Sequence, residues 1–492
     1  MNPKECKLDK AMNQELSLEE LFEAQGKRRW EIAKTTAKER IAKLQKLRKA
    51  LVARQQEFYD AVWEDFHKPK TEAQLCEVYP ALSEIDYAVA HLDEWMEDKD
   101  GSWSPLFPTN KSVSHFEPKG RVLIMAPWNY PLLLLVSPIV AAVAAGNTVM
   151  AKPSHKTPKV SLFLESLMAE VFPKDEVTVV LGDGAVLGDK LLSLPFDHVF
   201  FTGSPKVGAH VAECAAKIHA GVTLELGGKS PVIVLDDVRI KDAAQKIAWG
   251  KCLNAGQTCI APDYVLCPAK LVQPLAEAVA ESIRKMYGST DEERRLCESF
   301  VHIIEARAVE RHKTLVEDAL AKGATAVLGE TSAPEDAENR YTPATVLTGV
   351  TADMSIMDSE IFGPILPIVA YDSLDEAIQF VQSRPKPLAL YIFGKSERNM
   401  QRVIGETTAG STCVNHCILQ IENLSVPFGG VGMSGTGNYH GIYGFKTFSH
   451  ERNMMFQGAL DSMKFFYPPY HKNGEKGLRA KIQRIAKKFL GL

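Results

Sequence analysis

One cysteine of the sequence stands in a string of small and polar residues, NAGQTCIAP at 254–262. Small neighbours allow a backbone to approach a substrate and leave the thiol of Cys259 reachable from a pocket, whereas Cys252 and Cys267 stand in apolar strings. A reachable thiolate is a nucleophile. Because most cysteines are inert filler of a core, the string makes Cys259 a candidate nucleophile without establishing one.

A carboxylate, Glu225, lies inside the apolar, strand-like run TLELGGK at 223–229, just before a glycine turn. Such a residue is either a salt-bridge partner or a base whose pKa is raised by burial, and the salt bridge is the commoner of the two. Asn129 follows a predicted strand in PWNYP at 127–131 and, taken alone, is an ordinary turn residue. Its neighbours either line a pocket entrance or pack in the core: Trp128, Tyr130 and Leu132.

The run VFFT at 199–202 predicts a buried strand, and GSPKVG at 203–208 then opens a helix. A strand that leads through a glycine turn into a helix presents unpaired backbone N–H groups and the positive end of the helix dipole, where a pyrophosphate can bind. The signal is weak by itself, since neither G-x-G-x-x-G nor a Walker lysine is present.

The composition is that of a globular protein: 492 residues, 45% apolar, 24% charged and a formal net charge of -4. Disorder and fibres are excluded, and no basic surplus indicates a nucleic-acid partner. Nine cysteines in an odd, scattered set and an N-terminus without a signal peptide predict free thiols and a cytoplasmic protein. The most apolar run, 132–145, is too short to span a membrane and predicts a buried helix.

Apolar periodicity predicts amphipathic helices over 16–64 and 72–95, with an edge strand or hairpin at 112–116. Short apolar strands then alternate with helical segments, which predicts a parallel sheet covered by helices on both faces. The predicted strands lie at 122–126, 148–151, 177–181 and 198–202. A second alternating region, from 230–235 to 411–415, makes two α/β units in series the simplest interpretation.

Seven ordered motifs between about residues 21 and 470 resemble those of the aldehyde dehydrogenase superfamily. They are PWNYP at 127–131, KPS at 152–154, FTGS at 201–204, LELGGK at 224–229, GQTCIAP at 256–262, EIFGP at 360–364, and PFGG at 427–430 followed by YHG at 439–441. The continuation CIAPDY at 259–264 and the YHG triplet are similar to the class 3 branch, which includes fatty and aromatic aldehyde dehydrogenases.

The resemblance implies oxidation of an aldehyde, medium- or long-chain aliphatic or aromatic, to its acid through a thiohemiacetal and a thioester on Cys259. It implies that the Asn129 amide and the Cys259 N–H stabilise the oxyanion, and that Glu225 is the general base. Three alternatives are a CoA-acylating relative, a reductase of acyl phosphates and a non-catalytic scaffold. Glu225 argues against the first two, and the intact motifs argue against the third.

The resemblance also implies NAD or NADP as cofactor and no metal. Lys152 would contact the adenosine ribose, Gly203 and Ser204 the pyrophosphate, and Glu360 with Phe362 the nicotinamide end. Further expected cofactor residues are Ser154, His155 and Gly208. Relatives that prefer NAD commonly carry Glu where this chain has His155. The missing carboxylate removes repulsion of a 2'-phosphate, so the hypothesis is dual use or a preference for NADP.

The expected architecture is a Rossmann-like cofactor domain (1–104 and 121–226), an α/β catalytic domain (227–416) and a small β bridging and oligomerisation element. The bridge combines 105–120 with 417–470, including strands such as 445–452, and the resemblance implies a homodimer. The tail at 471–492 is basic, with apolar residues at helical spacing over 477–492. It either contacts an anionic membrane surface peripherally, or packs on a neighbouring subunit or stays solvated.

Overall fold

The computed structural model describes residues 17–104, 108–329 and 336–461, together with isolated positions between 464 and 491. The predicted tail at 471–492 lies largely outside the described residues. Among the helices within them, none is both long enough and apolar enough to cross a membrane.

The helices are α1 Leu18–Ala33, α2 Ala37–Phe66, α3 Lys70–Ala73, α4 Tyr79–Trp95, α5 Leu133–Ala145, α6 Pro158–Val171, α7 Gly184–Leu192, α8 Pro205–Lys217, α9 Ile240–Cys252, α10 Val272–Tyr287, α11 Asp291–Arg295, α12 Ala306–Ala321, α13 Asp336–Asn339, α14 Leu374–Gln382, α15 Glu397–Glu406 and α16 Gly441–Thr447. A π-helical turn, Gln74–Val78, joins α3 to α4, and short 3-10 turns lie at Leu253–Gly256, Ala269–Leu271, Ser355–Met357 and Leu419–Glu422.

The strands are β1 Lys99–Asp100, β2 Lys111–Pro118, β3 Arg121–Met125, β4 Thr148–Lys152, β5 Val177–Val179, β6 His198–Gly203, β7 Gly221–Leu226, β8 Pro231–Val234, β9 Tyr264–Pro268, β10 Thr325–Leu328, β11 Thr345–Thr348, β12 Ile365–Tyr371, β13 Ala389–Phe393, β14 Ser411–Val414, β15 Gly435–Thr436 and β16 Ser449–Phe456. They form three sheets, and the mixed α/β architecture confirms the predicted fold class.

The first two helices begin at residues that cap a helix N-terminus. Ser17 and Thr36 cap α1 and α2, and each forms a reciprocal capping box with a glutamate three residues later, Glu20 and Glu39. The predicted buried helix at 132–145 is confirmed as α5, which is buried from its second residue to its last. It ends at Gly146, whose φ of 87° is left-handed and suits glycine.

The first sheet has the order β15-β7-β6-β3-β4-β5, and all of its pairings are parallel except that of the short β15 with β7. Parallel strands place their carboxyl ends at one edge, and loops beyond that edge form the usual ligand crevice. The segment that follows β3 contains Asn129, β4 ends at Lys152, and β6 ends at Gly203. Sheet topology therefore gathers these predicted residues along one edge.

The second sheet has the order β10-β11-β12-β9-β8-β13-β14, and only the β10–β11 pair is antiparallel. Here the site lies before the strands rather than after them. Lys229 precedes β8, Cys259 precedes β9, and Glu360 precedes β12, three strands that are neighbours in the sheet. The candidate site thus lies between the carboxyl edge of the first sheet and the amino edge of the second.

The third sheet has the order β1-β2-β16, with β2 paired antiparallel to both neighbours. Of the two alternatives predicted for 112–116, the hairpin agrees with the structure, since β2 pairs antiparallel with the preceding strand β1. The edge strand is wrong, because β16 covers the other side of β2 along its whole length. The strand predicted over 445–452 starts later, at Ser449, since α16 occupies the preceding residues. The pairing itself, between the segment near 105–120 and a C-terminal strand, is present.

Candidate active site

Cys259 follows a backbone turn of unusual conformation. Asn254, Ala255 and Gly256 are three consecutive residues with left-handed φ, at 51°, 50° and 73°. Glycine adopts this region readily and asparagine does so occasionally, whereas alanine rarely does, so Ala255 is strained. A side chain at Gly256 would overlap the carbonyl of Gly363, so glycine is required there on packing grounds as well. Strain of this kind persists only where surrounding contacts fix the backbone.

Gln257 supplies part of that fixation. Its side-chain amide donates to the carbonyls of Asn254 and His302, both at 3.1 Å, and its Oε1 accepts from the N–H of Ile304 at 3.0 Å. All polar atoms of this buried side chain are thereby bound, which ties the turn before Cys259 to a neighbouring segment. Gln257 was not singled out by the sequence, where an amide two residues before a cysteine has no distinctive signature.

The Cys259 thiol is protonated at rest. Burial raises its pKa to about 12, and the nearby carboxylates of Glu360 and Glu225 act in the same direction, while the N–H groups of Cys259 and Ile260 lower it. Since the thiolate is the nucleophile, a base must accept the proton as the bond forms. The influence of both carboxylates on one sulfur also shows that the structure brings the predicted nucleophile, base and nicotinamide-end residue together.

Glu225 is the penultimate residue of β7 and only 3% exposed. Neither carboxylate oxygen has a hydrogen-bond partner among the described protein atoms. Burial raises its pKa well above the ordinary 4.5. Of the two interpretations left open by the sequence, the salt bridge is thus not found within the described part of the chain, and the geometry is that of a base with elevated pKa.

Asn129 is more than a turn residue. Its Nδ2 donates to the carbonyl of Gln257 at 3.0 Å, which places the amide beside the segment that carries Cys259. The amide nitrogen has a second N–H, and that N–H can serve an oxyanion. The next residue, Tyr130, bonds the Thr258 hydroxyl at 2.7 Å. Two contacts therefore join the loop after β3 to the two residues immediately before the cysteine.

The other two residues named as possible entrance lining have different surroundings. Leu132 is fully buried in the main core, so core packing is the correct interpretation for it. Trp128 is partly buried and makes an edge-to-face contact with Phe362, with ring centroids 5.6 Å apart. That contact connects the Asn129 loop to the EIFGP segment.

Lys152 ends β4 and is 5% exposed, and burial lowers its pKa. Its Nζ donates to the carbonyl of Pro153 at 3.2 Å. His155 accepts through Nδ1 from the N–H of Gly184 at 3.1 Å, and its Nε2 lies 3.8 Å from Oδ2 of Asp183. A carboxylate therefore does stand beside position 155, contributed by the N-cap of α7. The sequence could not show this, because it lies 28 residues further along the chain.

Ser154 forms hydrogen bonds with residues that follow it closely in the chain. Its hydroxyl accepts from the N–H of Lys156 at 3.3 Å, and its carbonyl accepts from the Ser161 hydroxyl at 2.9 Å. Through these bonds it shapes the turn that carries Lys152 and His155.

The predicted helix after β6 is confirmed as α8, with Ser204 at its N-cap. The Ser204 side chain makes no capping hydrogen bond, so it does not occupy the N–H groups of the first turn. Added side chains would overlap the Phe201 ring at Gly203 and the Leu226 side chain at Gly208. Glycine at these two positions lets the backbone of the turn and the helix approach the sheet closely, as a pyrophosphate site requires.

Glu360 and Phe362 lie in the segment before β12. Burial raises the pKa of Glu360 to about 8, and the Asp263 carboxylate adds to the rise, against opposing effects of the Gly228 N–H, Lys229 and Lys251. A side chain at Gly227 would overlap the Glu360 carboxylate. Phe362 has a left-handed φ of 51°, which makes it a second strained residue at the site.

Asp263 joins the three segments that precede β8, β9 and β12. Its Oδ2 accepts from Nζ of Lys229 at 2.6 Å, and its Oδ1 accepts from the N–H of Ile361 at 3.0 Å. Lys251 stands 3.9 Å away, with its pKa lowered to about 8 by burial. The sequence drew attention to Asp263 only as part of CIAPDY, and its role becomes visible only with the strand order.

The residues present fit a dinucleotide. The first turn of α8 is not capped by its serine, Gly203 and Gly208 let this turn lie close to the sheet, and Lys152 and Glu225 carry polar atoms with few or no protein partners. A buried thiol beside a carboxylate of raised pKa and a side-chain amide forms the arrangement needed for covalent catalysis at a carbonyl. Fold and site are thus those of a dinucleotide-dependent oxidoreductase.

The aldehyde dehydrogenase family model matches residues 10–454, and the chain therefore belongs to the aldehyde dehydrogenase family. It is 40% identical over 438 residues to human aldehyde dehydrogenase family 3 member B1, covering 87% of this chain and 90% of that protein. It is 38% identical over 432 residues to the dimeric, NADP-preferring aldehyde dehydrogenase of Canis lupus familiaris, covering 87% and 93%. These relatives confirm the predicted family and its class 3 character.

Similarity in structure agrees with similarity in sequence. A substrate-bound Staphylococcus aureus AldH superposes with a TM-score of 0.89 at 38% identity, covering 96% of this chain and 100% of that chain. The fold is that of the family, and the chain is an oxidoreductase that acts on aldehydes and oxidises them to acids.

Proposed function

We propose that Cys259, Glu225 and Asn129 carry the oxidation of an aldehyde to its acid, with NAD or NADP as the hydride acceptor. The observation that supports this most strongly is the buried Glu225 carboxylate, which has no protein partner in the described residues and raises the pKa of the Cys259 thiol. A buried carboxylate without a partner is costly, so its presence indicates a use other than stability.

In the first step the Cys259 thiol gives its proton to Glu225, and the sulfur bonds to the aldehyde carbon. The carbonyl π electrons move to oxygen, and the resulting oxyanion accepts from the free N–H of the Asn129 amide and from the N–H of Cys259. Removing one such donor from a site of this type costs about 100- to 1000-fold in rate. The product of this step is a thiohemiacetal on Cys259.

The thiohemiacetal carbon then loses a hydride and becomes a thioester carbonyl. NAD(P), when bound, would accept this hydride, and Lys152, Gly203, Ser204, Glu360 and Phe362 would hold it. The proton that Glu225 took from Cys259 passes to solvent, and Glu225 then removes a proton from water, whose oxygen attacks the thioester carbon. The sulfur leaves as a thiolate and takes a proton from Glu225, which gives the acid and free Cys259. The raised pKa of Glu225 suits it to deprotonating water near neutral pH.

The test is the rise in 340 nm absorbance with an aldehyde and NAD(P), compared between Cys259→Ala and Cys267→Ala. Cys267 is the matched control, since burial raises its pKa to about 12 as well and it lies within β9. We expect activity to vanish in the first variant and to persist in the second. Full activity of Cys259→Ala would contradict the proposal.

We further propose that the chain uses both cofactors. His155 has no negative charge, but Asp183 lies 3.8 Å from it and restores part of the repulsion that a 2'-phosphate would meet. Lys152, near the same position, offsets that charge. Steady-state kcat/KM with NAD and with NADP tests this, and a difference of several orders of magnitude in favour of NAD would contradict it.

We also propose that the chain forms a homodimer, supported by the relative described as dimeric. Sedimentation of the full chain measures its mass directly.

For the tail at 477–492, peripheral contact with an anionic membrane stays a prediction, and liposome flotation of the full chain against a chain ending at Tyr470 tests it.

For the aldehyde, a chain-length series plus benzaldehyde, ranked by kcat/KM, distinguishes long-chain from aromatic preference.

A further inference from the structure

Three charged residues follow one another closely between α2 and α4: Lys68, Glu72 and Glu77. Lys68 and Glu77 have no exposed surface at all. Burying a charge is costly unless the charge is paired and hydrogen-bonded. The hydrogen bonds that these side chains form with other segments go to the two loops of the proposed oxyanion site.

Lys68 and Glu77 form hydrogen bonds with backbone groups at both ends of the loop that carries Asn129. Nζ of Lys68 donates to Oε1 of Glu77 at 2.7 Å and to the Asn129 carbonyl at 2.8 Å. Oε2 of Glu77 accepts from the N–H of Leu132 at 2.9 Å. The ammonium also lies 4.1 Å from the centre of the Tyr130 ring. One buried ion pair thus contacts the backbone of the loop on both sides of its proline.

Glu72 holds the other loop. Its Oε1 accepts from the N–H of Asn254, at 2.9 Å, within the left-handed turn that precedes Cys259. The side chain of Asn254 then donates to the Asn129 carbonyl at 3.0 Å, the same oxygen that Lys68 contacts. The two loops therefore meet at one carbonyl, and a single segment of chain holds each of them.

The segment that carries these three residues contains a π-helical turn at the position of Glu77. Glu77 lies in the π-helical turn Gln74–Val78, between α3 and α4. A π turn adds a residue to the helical repeat and so changes the direction in which later side chains point, a feature frequent at functional sites. Here it occurs where Glu77 reaches both Lys68 and Leu132.

We propose that Lys68, Glu72 and Glu77 are positioning residues that fix the Asn129 amide relative to the Cys259 thiol, so that the two oxyanion donors converge. This inference rests on the proposed roles of Asn129 and Cys259. None of the three touches the reacting atoms, and each acts through the backbone of a loop. Their effect is on geometry, and a displacement of about 1 Å in such a site can cost 100-fold in rate.

Two probes separate positioning from thiol reactivity. Hydrolysis of p-nitrophenyl acetate requires an oxyanion at Cys259, whereas alkylation of Cys259 by iodoacetamide forms none. Burial, Glu360 and Glu225 are the main causes of the raised Cys259 pKa, so loss of Lys68 should change the reactivity of the thiol little. For Lys68→Met and for Glu77→Gln we expect ester hydrolysis to fall by about 10- to 100-fold, with alkylation within about threefold of wild type.

The matched control is Glu176→Gln. Glu176 is 3% exposed in its side chain and pairs with Lys43 at 2.5 Å, but it lies before β5, at the opposite end of the strands from the site. Loss of this ion pair should change neither rate. If the rate of ester hydrolysis falls as much in Glu176→Gln as in Lys68→Met, general destabilisation explains the loss and the proposal fails.

A double variant, Lys68→Met with Glu77→Met, distinguishes a loss of positioning from a loss of folding. Replacing both members of a buried pair by apolar residues of similar volume is often neutral for stability. We expect it to recover the wild-type unfolding midpoint while ester hydrolysis stays low. Recovery of both would show that the pair is structural only and would overturn the proposal.

Asn129→Ala distinguishes failure of this inference from failure of the proposed function. If Asn129→Ala lowers ester hydrolysis and Lys68→Met does not, the positioning role is wrong and the oxyanion role of Asn129 stands. If neither variant lowers it, the oxyanion role itself is wrong. Dissociation constants for NAD and NADP, measured by fluorescence, should be unchanged in all of these variants.

Discussion

Two glutamates, Glu77 and Glu225, are both buried but differ in their hydrogen-bond partners. Glu77 has both oxygens bound, one by Lys68 and one by the N–H of Leu132. Glu225 has no hydrogen-bond partner for either oxygen in the described part of the chain. Burial raises the pKa of both carboxyls, but at Glu77 the charge of Lys68 opposes that rise.

The difference separates two uses of a buried carboxylate. Where every acceptor is occupied, the group is rigid and its charge is stabilised, which suits it to hold backbone in place. Where acceptors are unoccupied by protein, ionisation is costly and the group readily takes up a proton, which suits it to be a base. Burial alone does not distinguish the two uses, whereas partners do.

The largest expected effect is on catalysis. Glu225→Gln should lower kcat for aldehyde oxidation by about 100- to 10,000-fold, because the proton acceptor is lost. Glu77→Gln should lower it by about 10- to 100-fold through geometry. Steady-state kinetics with saturating cofactor measures both. Equal effects of the two substitutions would break the distinction between base and positioning residue.

Stability should respond in opposite directions. Glu77→Gln removes one partner of a fully buried ion pair and should lower the free energy of unfolding by about 3 to 5 kcal/mol. Glu225→Gln removes a carboxyl that has no partner to lose and should raise that free energy at pH 8. Urea unfolding at fixed pH tests this, with Glu176→Gln as the reference for a pair with a partly exposed lysine. Destabilisation by both variants would contradict the account.

The pH dependence of that gain follows from the direction of the pKa shift. Because the folded protein holds Glu225 at a pKa above 4.5, the folded state binds more protons than the unfolded state at higher pH. The contribution of Glu225 to stability is therefore constant below pH 4.5 and falls as pH rises toward the folded pKa. The difference in unfolding free energy between Glu225→Gln and wild type should grow from pH 4.5 to pH 8. A constant difference would contradict it.

Activity should carry the same signature. The acid limb of the pH profile of kcat should lie well above pH 4.5, since Glu225 must be ionised to accept a proton. This limb should disappear in the residual activity of Glu225→Gln and remain in Glu77→Gln. A profile that loses its acid limb only in Glu77→Gln would exchange the two roles.

The smallest effect is expected at Asp183, an exposed carboxylate outside the core. Asp183→Asn should raise kcat/KM with NADP by about two- to tenfold and leave that with NAD nearly unchanged, because solvent screens exposed charges. Binding of 2',5'-ADP against 5'-AMP measures the same preference without turnover. An unchanged ratio would remove Asp183 from cofactor selection.

Much of the fold was predictable because the signals were local. Periodicity placed the helices α1 and α2, the strands β3 to β6 of the first sheet and the buried α5, and turn chemistry placed the helix after Gly203. The sequence could not decide where a partner strand from far along the chain was needed. It left an edge strand and a hairpin open for 112–116, and the edge strand is wrong because β16, more than 300 residues later, pairs along β2.

The site followed the same division. Motifs pointed to Cys259, Glu225 and Asn129, whose roles stay proposals, but periodicity could not reveal that Glu225 lacks a partner. Lys68 and Glu77 were not predicted as site residues, because charged residues of a loop or an amphipathic helix ordinarily face solvent and only tertiary packing buries this pair. Asp183 was not predicted, because its proximity to His155 depends on where the N-cap of α7 lies relative to the segment after β4.

The most direct test of the central claim is the intact mass of Glu225→Gln after exposure to an aldehyde and NAD(P). Without Glu225 the thiol must lose its proton to solvent, so hydride loss should be slower than in wild type. Thioester hydrolysis should be slowed further, because no base deprotonates the attacking water, and the thioester should accumulate. We predict one adduct equal to the aldehyde less two hydrogens, on the peptide that contains Cys259, together with one equivalent of NAD(P)H. No adduct, or an adduct on another cysteine, would contradict Cys259 as the nucleophile and Glu225 as the hydrolytic base.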